Sequence, residues 1–361
     1  MSTDCQFPYI VYRPEWSPRK CGQFHGESFR RAIGELFSIR RELMLAKNPK
    51  LRPVLSPLAK EQWEISKKYA PDIAEELQGI AEGADLELDD IVILNNYTDF
   101  RDITLPEEGC STLGIKNDQT LLAGQTWDMH SSAKNYMCLI HAPKNASAPE
   151  SLILSLVGCV GLMGVNTSLC TVGVNNINTK NAKAGLIWPL LVRSLLKENN
   201  LADIEAKLKS APVTSGHNYI VADKQNVEHY EVSPVSFEKV KWQTQNCVFH
   251  TNHCLTDSAV AIEESGTQSS TTHARYELLT KKVGNVTNFE GLKSLLQDHE
   301  SHPMSICSHF ENGAQDPSMT CGGGIVDQKS GASFFWRGCP TYDKNYRSYN
   351  FKLEGSSFVK I

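Results

Sequence analysis

Gly109-Cys110-Ser111-Thr112, preceded by Glu107-Glu108 and followed by Thr120-Leu121-Leu122-Ala123-Gly124-Gln125-Thr126-Trp127-Asp128, is the stretch around which the chain organises itself. A small residue sits directly before a cysteine and two hydroxyl residues, and an apolar, strand-like run follows. Glycine tolerates the strained backbone that a self-cleaving bond needs, and it leaves room for the next thiol to reach its carbonyl. Attack by the Cys110 sulfur on that carbonyl is an N-to-S acyl shift, and water then releases two chains. The freed α-amine, with a pKa of about 7.7–8.0, can serve as general base to its own thiol near neutral pH. The expectation is therefore a mostly helical segment 1–109 and a segment 110–361 that starts with a nucleophile, both within one domain.

Working outward, the residues before Gly109 read as helices. Phe29, Ile33, Leu36, Phe37 and Leu43 recur at helical spacing after Gly22-Gln-Phe-His25-Gly26. A second helix is expected over 58–69. Pro71 opens a third, with Ile73, Leu77, Ile80 and Ala84 on one face, and Asp89-Asp90 is expected to cap a fourth. His25 reads as a structural histidine. After Gly109 the texture changes to strands, expected at 111–115, 119–126, 136–141, 151–157 and 170–175. Gly124-Gln-Thr-Trp reads as a turn that brings Asp128 back beside Cys110. Gly158, Gly161 and Gly164 read as turn glycines, since no Lys-Ser/Thr follows to make a phosphate loop. Helices at 187–198, 201–209, 272–283 and 288–297 alternate with strands at 218–222, 228–232, 237–242, 246–250, 322–327, 332–336 and 348–352. The fold class is α+β, in a single domain.

Composition excludes several classes. The 361 residues are 40% hydrophobic and 21% charged, the balance of an ordinary globular protein. A net charge of -5 gives no basic surface for nucleic acid or anionic lipid. No apolar run is long enough to span a membrane, and no signal-like segment opens the chain, so a cytoplasmic location is expected. Eleven cysteines stand singly, without the spacing of a disulfide framework or zinc ribbon. His250, His253 and Cys254, with His299 and His302, compose an alternative metal-binding reading. It is set aside because neighbouring strand residues point to opposite faces. The expectation is no metal and no cofactor.

Asn252 ends the strand-like run Val248-Phe249-His250, where a side-chain amide can stabilise an oxyanion. Taken together, Gly22-x-x-His25-Gly26, Glu76-Leu-Gln-Gly-Ile-Ala-Glu-Gly-Ala84, Gly109-Cys110-Ser-Thr, Gly124-Gln-Thr-Trp-Asp128, His250-Thr-Asn-His-Cys-Leu255 and Ser305-Ile-Cys307 occur in the order of the acyl-coenzyme A:6-aminopenicillanic acid acyltransferase family. The chain resembles that family along nearly its full length. The resemblance implies an N-terminal-nucleophile hydrolase with a four-layer αββα sandwich, made as one precursor and cleaved before the cysteine. It implies Cys110 as nucleophile, Asp128 as the carboxylate that organises it and Asn252 as the oxyanion residue. Gly109, Ser111 and Thr112 are then the small and polar companions of self-processing.

One position departs from the pattern. Penicillin-making members carry an arginine after Ser-Ile-Cys, where this chain has Ser308 and then His309. Without the guanidinium a bidentate clamp on a substrate carboxylate is lost. Ser308 and His309 are the substrate-binding candidates in its place. The family also includes hydrolases that remove β-alanyl groups from amines. The activity implied is hydrolysis or transfer of the acyl group of a small amide through a thioester on Cys110. An acyl-coenzyme A, or an amine acceptor, would be a further partner beside the small amide, and the two segments of the precursor would stay partnered. The rival reading is an uncleaved homologue that binds or regulates.

Overall fold

The computed structural model describes residues 7–102, 109–264, 271–309 and 316–361; Glu107 and Glu108 lie outside the described residues. The first part runs β1 (Tyr9–Val11), α1 (Pro18–Lys47), α2 (Leu55–Tyr69), α3 (Pro71–Ala84), α4 (Leu88–Asn95) and α5 (Tyr97–Asp102). After Gly109 come β2 (Cys110–Lys116), β3 (Leu121–His130), β4 (Met137–Ala142), β5 (Ser151–Leu156), β6 (Met163–Asn166) and β7 (Thr171–Asn176). Next are α6 (Trp188–Leu195), α7 (Leu201–Ser210), β8 (His217–Ala222), β9 (Val227–Val232), β10 (Phe237–Lys239) and β11 (Cys247–His250). The chain closes with α8 (Asp257–Val260), α9 (Thr272–Lys282), α10 (Phe289–Leu296), β12 (Ser318–Asp327), β13 (Ser333–Arg337), β14 (Arg347–Glu354) and β15 (Ser357–Lys360).

The strands form two sheets, ordered β1-β4-β5-β6-β7-β8-β9-β10 and β11-β2-β3-β12-β13-β14-β15. Ile33, Leu36, Leu77, Ile80, Leu94 and Leu191 pack with Leu139, Ile153 and Leu154 in one core, so α1, α3, α4 and α6 cover the first sheet. Leu278, Leu279, Leu292 and Leu296 join Leu113, Phe249, Ile325 and Trp336 in another, so α9 and α10 cover the second. The sheets face each other: Gln125 of β3 donates Nε2–H to the Val174 carbonyl at 2.5 Å and accepts from Val174 N at 2.8 Å. A side-chain amide thus pairs with β7 as a strand would. The architecture is the αββα sandwich the resemblance implied, in the α+β class.

The α1–α3 crossing explains two of the quoted motifs. A Cβ at Gly22 would lie 2.0 Å from the Glu76 carbonyl oxygen, and one at Gly79 would lie 2.2 Å from that of Arg19. Gly26 and Gly83 repeat the contact one turn on, so the backbones touch where any side chain would hold them apart. Glu76 is buried and takes both Arg193 guanidinium nitrogens at 3.0 and 2.8 Å, with the Tyr12 hydroxyl also donating at 3.0 Å. His25 is wholly buried, accepting from Gly158 N through Nε2 at 3.0 Å. Burial, and then the Arg193 charge, push its pKa down to about 3, so it is a neutral structural histidine.

Several local readings need correction. Gly124 through Trp127 lie inside β3, and the hairpin turn is at Asn117–Thr120. A strand fully buried on both faces shows no polar alternation, so glycine and threonine within it read as a turn. Asp89 and Asp90 sit in the first turn of α4, where carboxylates suit the helix dipole, and Glu87 holds the cap position without a side-chain bond. Gly158 does occupy a left-handed turn, at φ 84°. Gly164 instead lies in β6, pressed 2.5 Å (at Cβ) from the Leu152 carbonyl, and that strand was not anticipated. The last hairpin partner, β15, was also missed; its solvent-facing residues carry little apolar signal.

Candidate active site

The β2–β3 hairpin sets Cys110 opposite Trp127 and Ser111 opposite Thr126, while β11 sets His250 opposite Thr112. Two residues beyond that pair, Asn252 comes level with Cys110, and the Cys110 amide donates to its Oδ1 at 2.7 Å. Strand alternation sends Thr112 toward the other sheet, where its hydroxyl meets Asn175 Oδ1 at 3.2 Å. Ser111 points the other way, to Arg275 of α9, whose Nη1 donates to Ser111 Oγ at 3.1 Å.

Arg275 joins these parts, and sequence reading missed it. It is fully buried and donates to the Cys110 carbonyl at 2.5 Å, to Asn252 Oδ1 at 2.8 Å and to Thr271 Oγ1 at 3.0 Å. Nothing in a lone arginine among polar helix residues marks it. Its fixed fork can serve several acceptors at once.

Asp128 is buried on the same face of β3 as Thr126. Its Oδ1 accepts from the Thr320 hydroxyl at 2.7 Å, and Oδ2 has no hydrogen-bond partner among the described residues. Burial raises its pKa to about 6; the Arg275 charge and the Thr320 hydrogen bond pull it back. A Cβ at position 109 would stand 2.8 Å from Asp128 Oδ2 and 2.9 Å from Arg275 Nη2. The peptide between Gly109 and Cys110 is therefore held between a buried carboxylate, a buried guanidinium and the Asn252 amide.

The loop carrying Asn252 is itself anchored. Glu231 accepts from His250 Nε2 at 2.6 Å, from Leu255 N at 2.7 Å and from Thr256 N at 2.8 Å. Burial opposes its charge, but the hydrogen bonds with His250 and Thr256 hold its carboxyl below the usual value. Asn252 Nδ2 donates to the Asn176 carbonyl at 2.9 Å. His253 instead meets the Thr272 hydroxyl at 3.0 Å, and Cys254 N meets Glu263 at 2.9 Å, so His250, His253 and Cys254 do not converge.

Ser308 is buried, and its amide donates to Thr320 Oγ1 at 2.8 Å, one bond removed from Asp128. His309 is half-buried and borders a cleft of about 370 Å³ shared with Ser131, Ser132, Lys134 and Met319. Thus Cys110, Asp128 and Asn252 come together with Gly109, Ser111 and Arg275, Thr112 turns to the sheet interface, and Ser308 and His309 sit behind Asp128. Among the described residues no helix is long and apolar enough to cross a membrane.

The family model described as acyl-coenzyme A:6-aminopenicillanic acid acyl-transferase matches residues 115–318, more than half of the chain. The 40 kDa form of acyl-coenzyme A:6-aminopenicillanic-acid-acyltransferase from Emericella nidulans is 26% identical over 306 residues, covering 82% of this chain and 84% of its own. Among solved structures, an N-acylethanolamine-hydrolyzing acid amidase ortholog from Caenorhabditis elegans overlaps with a TM-score of 0.43 at 12% identity. That overlap covers 61% of this chain and 93% of the other. A mutant conjugated bile acid hydrolase from Clostridium perfringens overlaps at 0.42 and 9% identity, covering 70% and 96%.

Proposed function

Because the chain belongs to the acyl-coenzyme A:6-aminopenicillanic acid acyltransferase family, we propose that it cuts its own Gly109–Cys110 bond and then carries acyl groups on the Cys110 sulfur. The observation behind this reading is the buried Asp128 Oδ2, which faces position 109 and has no hydrogen-bond partner among the described residues. A buried carboxylate left so is costly, and its natural partner is the ammonium group that appears at Cys110 once the bond is cut.

In the first reaction the Cys110 thiol loses its proton and its sulfur bonds to the Gly109 carbonyl carbon. The carbon–nitrogen bond breaks, the proton goes to the departing Cys110 nitrogen, and a thioester remains. Water then cleaves the thioester, leaving a Gly109 carboxylate and a free thiol. Arg275, on the Cys110 carbonyl, fixes the strand while this happens. In turnover the Cys110 sulfur attacks a small amide. Asn252, whose Nδ2 has a second N–H beyond the one on Asn176, stabilises the oxyanion. The α-amine passes the thiol proton to the leaving amine, and the acyl group goes to water or to another amine. The substrate is an N-acyl or β-alanyl amine, with acyl-coenzyme A as a second donor, bound along Ser308 and His309. Segments 1–109 and 110–361 remain one αββα unit afterwards, and neither nucleic acid nor membrane is a partner.

Denaturing intact mass spectrometry tests the first step. Two masses, for residues 1–109 and 110–361, are expected from fresh protein. A single full-chain mass that persists on incubation overturns the reading.

A further inference from the structure

Behind Asp128 lies a second cluster of chemically active side chains, separate from the residues that hold the Gly109–Cys110 bond. His299, Cys307, His309 and Cys339 each offer one ligand atom, and all four atoms lie within 4.8 Å of one another. His299 Nε2 is 3.1 Å from Cys339 Sγ, and His309 Nε2 is 3.7 Å from Cys307 Sγ. Among the described residues this is the one such group of three or more histidine, cysteine or carboxylate ligands. We propose that these four residues bind a zinc ion in a tetrahedral two-cysteine, two-histidine site.

The distances suit that ion. Zinc with sulfur at about 2.3 Å and nitrogen at about 2.0–2.1 Å places tetrahedral ligands about 3.3–3.8 Å apart. A mixed thiolate and imidazole set favours zinc over the hard cations, which take oxygen. The neighbours also orient the ligands. The Tyr342 amide donates toward Cys339 Sγ at 3.4 Å, and the Tyr342 ring stands edge-on to both His299 and His309, at 90° and 82°. Such outer contacts set ligand direction in metal centres. On binding, each cysteine S–H bond yields its proton to solvent and the sulfur pair coordinates the ion. His302 lies tilted against His309 and Tyr342 but stands outside the set.

The site staples three neighbouring stretches of the chain: the turn after α10, the stretch before β12 and the turn after β13. Two of its ligands, Cys307 and His309, flank Ser308, whose amide meets the Thr320 hydroxyl that holds Asp128. The ion therefore fixes the backing of the catalytic carboxylate and the wall proposed to bind substrate. Only Cys307-x-His309 is local in sequence; His299 and Cys339 come from other loops, so the pair alone does not mark the site.

The test uses full-length reduced protein, stripped with a chelator, reloaded with zinc sulfate and desalted. One zinc per chain is expected by elemental mass spectrometry, and cobalt(II) in its place should give thiolate charge-transfer absorption. His299→Gln, at a half-buried position, and Cys339→Ser should each weaken zinc retention by at least about tenfold, with circular dichroism checking the fold. The proposal is overturned by substoichiometric zinc in the reduced wild type. It is equally overturned by wild-type retention in a Cys307→Ser/Cys339→Ser double variant, or by an isolated chain lighter by two hydrogens with Cys307 disulfide-linked to Cys339 that reduction does not convert to a zinc-binding form. None of these outcomes depends on whether Gly109–Cys110 is cut.

Discussion

The amide of Cys110 donates to Asn252 Oδ1 across 2.7 Å, although 142 residues separate them in the chain. That bond ties the Gly109–Cys110 segment to a loop anchored by Glu231, so the peptide is held in place by the fold itself. The same Oδ1 takes Arg275 Nη2 at 2.8 Å, which fixes the direction in which the amide points.

Replacing Asn252 with alanine removes both the acceptor for Cys110 N and the proposed oxyanion donor. Turnover of an amide substrate should fall by about 10²–10³-fold in kcat, the usual loss for one such donor. Steady-state kinetics on cleaved protein measures it, and an unchanged kcat would rule out the oxyanion role.

Gly109→Ala places a methyl group 2.8 Å from Asp128 Oδ2 and 2.9 Å from Arg275 Nη2. The forced shift should cost about 1–3 kcal/mol and leave the chain in one piece. Thermal melting reads the first effect and intact mass the second.

Loss of Arg275 takes its donor from the buried Cys110 carbonyl and Ser111 hydroxyl and leaves Asn252 Oδ1 only the Cys110 amide. Each unsatisfied acceptor costs about 1–3 kcal/mol, so Arg275→Met should destabilise strongly and block cleavage. Arg275→Lys should rescue little, because a single ammonium cannot span the fork. Urea denaturation compares the three proteins, and near-wild-type stability of either variant would show that the fork is dispensable.

Acid should weaken the fold through its buried histidines. His25 and His217 titrate near 6.5 when exposed; burial lowers them to about 3 and about 4 in the folded chain. Between pH 6.5 and those values the unfolded chain binds protons that the folded chain refuses. Stability is therefore full above pH 6.5 and declines as pH falls toward about 3. Urea midpoints at pH 7.5 and pH 5 should show the drop, and His25→Gln should reduce it.

Close approach of α1 and α3 depends on glycine at Gly22, Gly26, Gly79 and Gly83. Gly79→Val would drive side-chain atoms into the Arg19 carbonyl, 2.2 Å from the Cβ position, and should lower stability by about 1–3 kcal/mol or more. A melting temperature equal to wild type would contradict this packing.

Much of the fold was legible because it rests on local periodicity. The stripe Ile33, Leu36 and the face Ile73, Leu77, Ile80 specify helices, and Pro71 begins α3 as its ring dictates. Errors fell where both faces of a strand are buried, as in β3, or where a strand is short and wet, as in β15. Gly109-Cys110, Asp128 and Asn252 were visible as residue types in suggestive places. Arg275, Thr320, Glu231 and the Gln125 bridge to Val174 were not.

The sequence by itself determined the α+β class, the helical first hundred residues, the strand-rich remainder and a glycine–cysteine bond at their junction. Periodicity and backbone freedom act within a few residues, so composition and spacing carry them. Only the tertiary structure decided that a helix arginine would reach the cysteine's carbonyl and that two cysteines and two histidines would meet behind Asp128. Such meetings are made by folding, between segments eight to more than a hundred residues apart, and no local pattern encodes which side chains arrive together.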